Sequence, residues 1–323
     1  DLNNFFPKVF AAYQRIFKRC GLEVHAAEAG VGYMRGSRSY EFLTSSACGD
    51  DMLVYCDSCG YRANSEVAGG GKPVITEPLR AMKKEHTPRA TTMDLLSESL
   101  SLPKQRLAKP MLYRTPQRLV MAIVRGDQEV SLEKLSKVLD HQLLRRAGKA
   151  DLEEHKLLPG FFSPVDREND DLTIVVDDSV ADSANLVYGA NERDTHFLDV
   201  NFGRDFTADI VADIVKMNGG ATCPHCDAVL KQEQVIELGN IFKLGDFYTR
   251  SMKLSYPEEG GGKRFPSMGS YGIGIGRLLT AIVDAYRDDN GIIWPEHISP
   301  YRGYLMSIGK SPTVRKAVEH LYA

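Results

Sequence analysis

Four of the six cysteines fall into two pairs with metal-ligand spacing, Cys56-x-x-Cys59 and Cys223-x-x-Cys226. One CxxC turn presents two thiolates to an ion, and two turns complete the tetrahedral shell that zinc takes in structural sites. The 323-residue chain opens on no basic-then-apolar signal segment. In that setting paired CxxC points to metal or redox chemistry and not to a disulfide framework. Neither pair opens a helix after a strand, which disfavours a thioredoxin-type motif. Two readings stand: a structural zinc on all four sulfurs, or reduced thiols that hold no metal. Cys20 and Cys48 have no such partners and read as ordinary thiols.

A second constellation lies at 268–279, Met-Gly-Ser-Tyr-Gly-Ile-Gly-Ile-Gly-Arg-Leu-Leu. Alternating Gly272, Gly274 and Gly276 on a strand would let a ligand approach the backbone closely. The pattern predicts a helix opening at Arg277, and an arginine beside a helix N-terminus is an anchor for a polyphosphate. A dinucleotide-binding turn is the competing reading. It needs a βαβ unit with an acidic residue beyond it, whereas 287–295 runs into Trp294-Pro295. Gly71-Lys72 is no phosphate loop, because Pro73 stands where the hydroxyl is required.

The elements that position these groups can be sketched from periodicity. Phe5, Phe6, Val9, Phe10, Tyr13, Ile16 and Phe17 make one apolar helix face over 3–20, with Gly21 as its stop. Segments 41–44 and 52–55 read as short strands, and 69–78 as a Gly/Pro-rich linker. Beyond it, 92–100 reads as helical and 111–113, 119–124 and 172–176 as strands, with Ser131 capping a helix that starts at Leu132. This is an α/β insert of about 120 residues, a normal domain size. Near 200 the chain returns to the character it has before the linker. Excising the insert makes the two CxxC pairs neighbours.

Hydrophobic residues make up 43% and charged residues 26%, with net charge −3. This is globular composition without an apolar run long enough to span a bilayer, so no membrane partner and a cytoplasmic protein are expected. The balance gives no global signature for nucleic acid, although local basic clusters such as Arg80, Lys83, Lys84 and Arg89 leave room for an RNA patch.

Several stretches, in order, resemble the bacterial-type prolyl-tRNA synthetases. They are Gly36-Ser-x-Ser-Tyr-Glu-Phe42, Cys56-x-x-Cys59 followed by Ala63-Asn64-x-Glu66, Ile236-Glu-Leu-Gly-Asn-Ile-Phe-Lys-Leu-Gly245, Met268 to Arg277, and Gly291-Ile-Ile-Trp-Pro295 with Ser299-Pro-Tyr301. The resemblance covers nearly the whole chain, and Met268 to Arg277 matches class II motif 3. It implies an α+β fold: a class II synthetase antiparallel-sheet core interrupted by an α/β editing (Ala-tRNA deacylase-like) insertion domain. The implied division is core at 1–78 and 199–298, insert at 79–198 and the start of an anticodon-binding domain at 299–323.

The implied reaction is proline activation with ATP and Mg²⁺, transfer to tRNA(Pro), and hydrolysis of mischarged Ala-tRNA(Pro), by a homodimer. Carried over residue by residue, Arg277 holds the ATP γ-phosphate and Glu237 joins it in catalysis. Gly239, Asn240, Phe242, Ser270, Gly272, Gly274 and Glu41 fall on the substrate and ATP pocket. Lys109, Gly160, Pro164, Asp177 and His196 fall on the editing site. Each has a plainer alternative: Lys109 a surface lysine, Asp177 a strand-end cap, His196 a structural histidine, Glu237 a solvent-facing strand residue. Asn240 and Tyr40 stand where the family usually has histidine, and Met34-Arg35 replaces part of a glycine-rich turn. The family's motif 1 and the arginine-bearing first half of motif 2 are not in these residues. The alternative expectation is therefore a non-ligase paralogue or fragment that retains only tRNA binding or trans-editing.

Overall fold

In the computed structural model, which describes residues 2–166, 172–258, 260–309 and 311–323, apolar spacing makes the first element a helix, Leu2–Arg19, burying Phe6, Tyr13 and Phe17 along one stripe. That stripe covers one face of a six-stranded sheet. The strand order is Met268–Ile273, Lys231–Gly245, Arg38–Ser45, His25–Ala29, Arg62–Asn64, Asp51–Tyr55. Its pairings are antiparallel except for one contact between Glu28 and Ala63. The 15-residue strand Lys231–Gly245 organises it. This strand pairs with Asp51–Tyr55 over Lys231–Val235 and with Arg38–Ser45 over Val235–Lys243, while Met268–Ile273 takes the opposite edge.

Side chains alternate across each strand, so Tyr40 and Phe42 enter the core under the first helix while Ser39, Glu41 and Leu43 face the other way. The rings of Tyr13, Phe10 and Phe17 lie 5.1, 5.3 and 5.6 Å from that of Phe42. Leu278, Ala281 and Ile282 of the helix Ile275–Tyr286 complete this core. The helix begins at Ile275, two residues before the expected Arg277. The Gly274 N–H bonds to the Leu238 carbonyl and the Gly274 carbonyl already accepts from Leu278 N, so Gly274 is the N-cap and Gly276 is helical.

Between Arg62–Asn64 and Lys231–Gly245 the chain leaves this sheet and builds a second one, ordered Ile210–Ala212, Leu172–Asp177, Leu119–Arg125, Ala108–Arg114, Arg145–Arg146. The first three strands are parallel and the last two antiparallel. Every residue of Leu119–Arg125 is buried, as a strand covered on both faces requires. A three-stranded sheet, Leu186–Gly189, Thr195–Val200 and Lys83–His86, closes the core around Tyr188 and Phe197. The unit continues past residue 198, since Ile210–Ala212 lies on its main sheet and Ile214 and Val215 are buried in it. Ser131 caps the helix Leu132–Val138 through Lys134 N.

Entry to and exit from the insert meet at a buried charge network. Lys72, whose side chain is 7% exposed, donates to Asp177 and Asp213 at 2.9 Å each and pairs with Asp178. Lys134, similarly buried, donates to Asp213 at 2.8 Å and to the carbonyls of Ala68 and Val215. Burial pulls the Lys72 ammonium down, but the carboxylates outweigh it and hold it above its ordinary range. For Lys134 burial wins and its affinity for a proton is lowered.

Removing one partner of such a network strands the others in a poor dielectric. Lys72→Met should therefore cost about 3 kcal/mol of stability in denaturant unfolding, with Lys149→Met, at an exposed pair with Glu153, as the unaffected control. An equal, small change in both variants would contradict the network's role.

Candidate functional site

A cleft of the insert with a volume of about 390 Å³ lies between the strand Ala108–Arg114, the segment 159–162 and the ends of Leu186–Gly189 and Thr195–Val200. Lys109, Gly160 and His196 all line it. Met111, Leu112, Leu152 and Phe162 give it an apolar wall, and Thr91, Thr92 and Arg146 add polar groups. The Lys109 ammonium is held by the backbone carbonyl of Gln128, and burial lowers its proton affinity. The His196 Nδ1 lies 2.6 Å from Thr87 Oγ1. Burial holds this imidazole down to about 4, so it is neutral at physiological pH.

Pro164 is buried and does not line this cleft; its segment is sewn in place by Asn191, which accepts from Ser163 N and donates to the Val165 carbonyl. Asp177 takes the plainer of its two alternatives: it is fully buried outside the cleft lining and caps the helix Asp178–Ala181. Its two oxygens are taken by Ser179 N, Ile214 N and Lys72. Desolvation raises its pKa despite the lysine. A carboxylate so occupied positions the exit of the insert and offers nothing to a ligand in the cleft.

The second constellation lies on the face of the six-stranded sheet turned away from the first helix. Register aligns Glu41, Asn240 and Gly272 in one row and Ser39, Phe242 and Ser270 in the next. Glu237 stands beside them, across from Leu43. Arg277 donates to Glu237 Oε2 at 2.6 Å and Asn240 Nδ2 to Glu237 Oε1 at 2.9 Å. Asn64 Nδ2 bridges Glu41 and Asp51 at 2.9 and 3.2 Å. Ser39 is 2% exposed and its Oγ has no hydrogen-bond partner among the described residues, which leaves a buried hydroxyl among these rows. Gly239 faces the other way. A β-bulge there turns it toward the first helix, where a Cβ would come within 2.6 Å of the Gly272 carbonyl. It serves strand packing and does not share the face of Asn240.

The four cysteines of the two CxxC pairs come together, with Sγ atoms all within 4.8 Å of one another. Cys56 and Cys226 are 3.5 Å apart and Cys59 and Cys223 3.6 Å. A tetrahedral ion with metal–sulfur bonds of about 2.3 Å separates its sulfurs by about 3.8 Å, so the cluster has the size of a four-thiolate shell. A hydrogen bond from the Cys59 N–H, helped by the Cys226 thiol, pulls the Cys56 thiol down to about 6.

Several residues of these sites carry little signal in the sequence. Arg146, Thr91 and Thr92 line the cleft. The Thr-Thr pair before the helix Met93–Leu100 offers the one usable hint, a capping pattern that Thr92 fulfils. Lys72 belongs by composition to the linker, and nothing near it in sequence announces its charged partners.

Residues 87–206 match the family described as aminoacyl-tRNA editing domain. A proline–tRNA ligase of Halothermothrix orenii is 37% identical over 324 residues, 99% of this chain and 57% of that protein. One from Dehalococcoides mccartyi is 36% identical over 99% of this chain and 56% of its own length. The chain thus spans little more than half the length of these relatives. A solved structure described as a candidate trans-editing enzyme for prolyl tRNA synthetase is 14% identical with a TM-score of 0.36, covering 42% of this chain and 87% of that one, a likeness too weak to carry an inference.

Glu41 provides a pH test of the sheet face. Burial first, then the nearby carboxylates, raise it from 4.5 to about 7, against the pull of Asn64. The unfolded chain releases this proton near 4.5 and the folded chain only near 7. Between those values the native state binds more protons, so stability falls as pH rises and levels off above 7. Glu41→Gln should remove that slope and raise stability at pH 8 by about 3 kcal/mol, read as urea midpoints at pH 5 and pH 8. Parallel losses in both proteins would contradict the burial of a protonated Glu41.

Proposed function

The chain is homologous along its length to the bacterial-type prolyl-tRNA synthetases, and from that premise we propose that it carries two linked activities: ATP-dependent activation of proline with transfer to tRNA(Pro), and hydrolysis of Ala-tRNA(Pro) in the insert. The observation that carries this reading is the cleft, in which Lys109, Gly160 and His196, far apart in sequence, share one cavity inside the span that matches an aminoacyl-tRNA editing domain. The need for a second site is physical. A pocket built for proline excludes the smaller alanine by only a few kcal/mol, because a missing methylene or two loses little binding energy.

In the hydrolytic step, water adds to the ester carbonyl carbon, the bond to the ribose oxygen breaks, and the proton passes to that oxygen, releasing alanine and tRNA(Pro). Lys109 contributes a compact positive charge that meets the carbonyl or the terminal phosphate, and Arg146 lies in the same lining to receive a further phosphate. A neutral His196, fixed by Thr87, offers shape and a hydrogen bond without charge. The apolar wall of Met111, Leu112 and Phe162 limits the side chain admitted.

For activation, the rows Glu41–Asn240–Gly272 and Ser39–Phe242–Ser270 would form the floor of a class II pocket, with the Ser39 hydroxyl, unpartnered among the described residues, available to a substrate. Arg277 would supply one of the positive charges that the triphosphate requires. Mg²⁺ takes most of its ligands from phosphate and water, and Glu237 is the carboxylate beside Arg277 that would complete them. The reading also places the protein in the cytoplasm as a homodimer.

A second reading, a non-ligase paralogue or fragment limited to tRNA binding or trans-editing, is favoured by one observation: Nη1 of Arg277 is ion-paired to Glu237, which draws one of its donors away from phosphate.

Lys109→Ala should lower Ala-tRNA(Pro) deacylation at least about tenfold and leave proline-dependent pyrophosphate exchange near wild type. Arg277→Ala should do the reverse. Unchanged deacylation in the first variant would overturn the role of Lys109. Absence of exchange in the unmutated protein, with deacylation intact, would select the second reading.

A further inference from the structure

We propose that Cys56, Cys59, Cys223 and Cys226 bind one structural zinc ion, which joins the chain before the insert to the chain after it and completes a small ribbon that cannot hold its shape on apolar burial alone. The site is independent of which reaction the chain performs.

Three observations carry the proposal beyond the proximity of the sulfurs. The two turns have the same backbone design. Cys56 N bonds to the Tyr61 carbonyl and Gly60 N to the Cys56 carbonyl, while Cys223 N bonds to the Ala228 carbonyl and Asp227 N to the Cys223 carbonyl. In each turn the residue after the second cysteine is left-handed, Gly60 at φ +78° and Asp227 at φ +59°. Two segments separated by the whole insert thus form one and the same knuckle, and each aims two sulfurs at a common point.

Each sulfur, moreover, is met by a backbone N–H of its own turn. Cys59 and, more weakly, Ser58 serve Cys56, Tyr61 serves Cys59, His225 serves Cys223 at 3.4 Å and Ala228 serves Cys226. Such donors stabilise thiolates, and donors to all four sulfurs around one centre form the outer shell that a negatively charged metal–tetrathiolate requires. Four neutral thiols have no use for that many donors.

The local core is also thin. Around the cysteines the buried apolar residues are Val54, Ala63, Ala68, Met217 and Leu230. A module of this size normally needs a metal or disulfides, because its buried area does not offset the ordering of its chain. A cross-link from Cys59 to Cys223 spans 164 residues of sequence, and a link across a long loop restricts the unfolded chain most. Zinc is the ion of choice among those that accept four thiolates: it is bound more tightly than ferrous iron by a given ligand set and has no redox chemistry to protect.

The test uses the purified protein under reducing conditions. Elemental analysis should find one zinc per chain. Replacement by Co²⁺ should give the visible absorption and sulfur-to-metal charge transfer of a tetrahedral tetrathiolate. Removal of the ion with a chelator should make 51–64 and 221–232 exchange amide hydrogen about a hundredfold faster while Leu119–Arg125 is unaffected. Cys226→Ser, at an exposed position, should lose the metal; should it fail to fold, the Co²⁺ spectrum of the unmutated protein decides. Protein isolated without metal that neither takes up Co²⁺ nor changes its exchange with zinc would overturn the proposal. So would iron found in the site.

Discussion

The strand Lys231–Gly245 must find Arg38–Ser45 and Asp51–Tyr55 in register after an excursion of more than a hundred residues, and the rest of the structure depends on that closure. A register slip of one residue would turn the row Glu41–Asn240–Gly272 into the aromatic core and put Phe42 and Ile241 in water. The clamp is electrostatic. Lys72 on the way out, Asp213 on the way back, and Asp177 and Lys134 inside the insert meet as a set of charges that are tolerable when buried only together. A chain lacking any one of them would leave an unpaired charge at the neck, so the neck has one arrangement.

Closure also sets how the insert sits against the sheet. Ser131 donates to the Glu66 carbonyl at 2.6 Å, and Glu133 accepts from Gly32 N at 3.2 Å. The second contact grips the turn that leads into Ser39 and Glu41. The same helix therefore carries Lys134 for the neck and Glu133 for the loop beside the Ser39 and Glu41 rows, which ties the insert's position to the polar face of the sheet through rigid backbone.

Much of this organisation is legible in residue types. Paired CxxC turns and the glycine-rich strand before an arginine each encode local geometry, and the structure gathers the four thiols in one cluster and sets Ser270 and Gly272 on one sheet face; Lys109, Gly160 and His196, which share a cleft, are indicated by the family resemblance and not by any local pattern. What stays illegible depends on partners distant in sequence. Lys72 reads as linker because its partners are 105 and 141 residues away. Asp177 reads equally as site or cap, and only the approach of Lys72 and Ile214 N decides. The extension of the insert to Ile210–Ala212 is hidden because a short strand with intermediate burial has no strong pattern of its own. Gly239 carries a family motif, yet the bulge beside it changes which face it occupies.

If the insert's cleft receives the aminoacyl end of a tRNA while the sheet face serves a different ligand, a crystal structure with a non-hydrolysable 3′-alanylamide of adenosine will show it directly. The alanyl amide should lie between Lys109 and His196, its methyl against Met111 and Phe162 and its carbonyl toward the Lys109 ammonium, with the sheet face free of it. The same compound bound over Asn240 and Ser270, with the cleft empty, would contradict this division of labour.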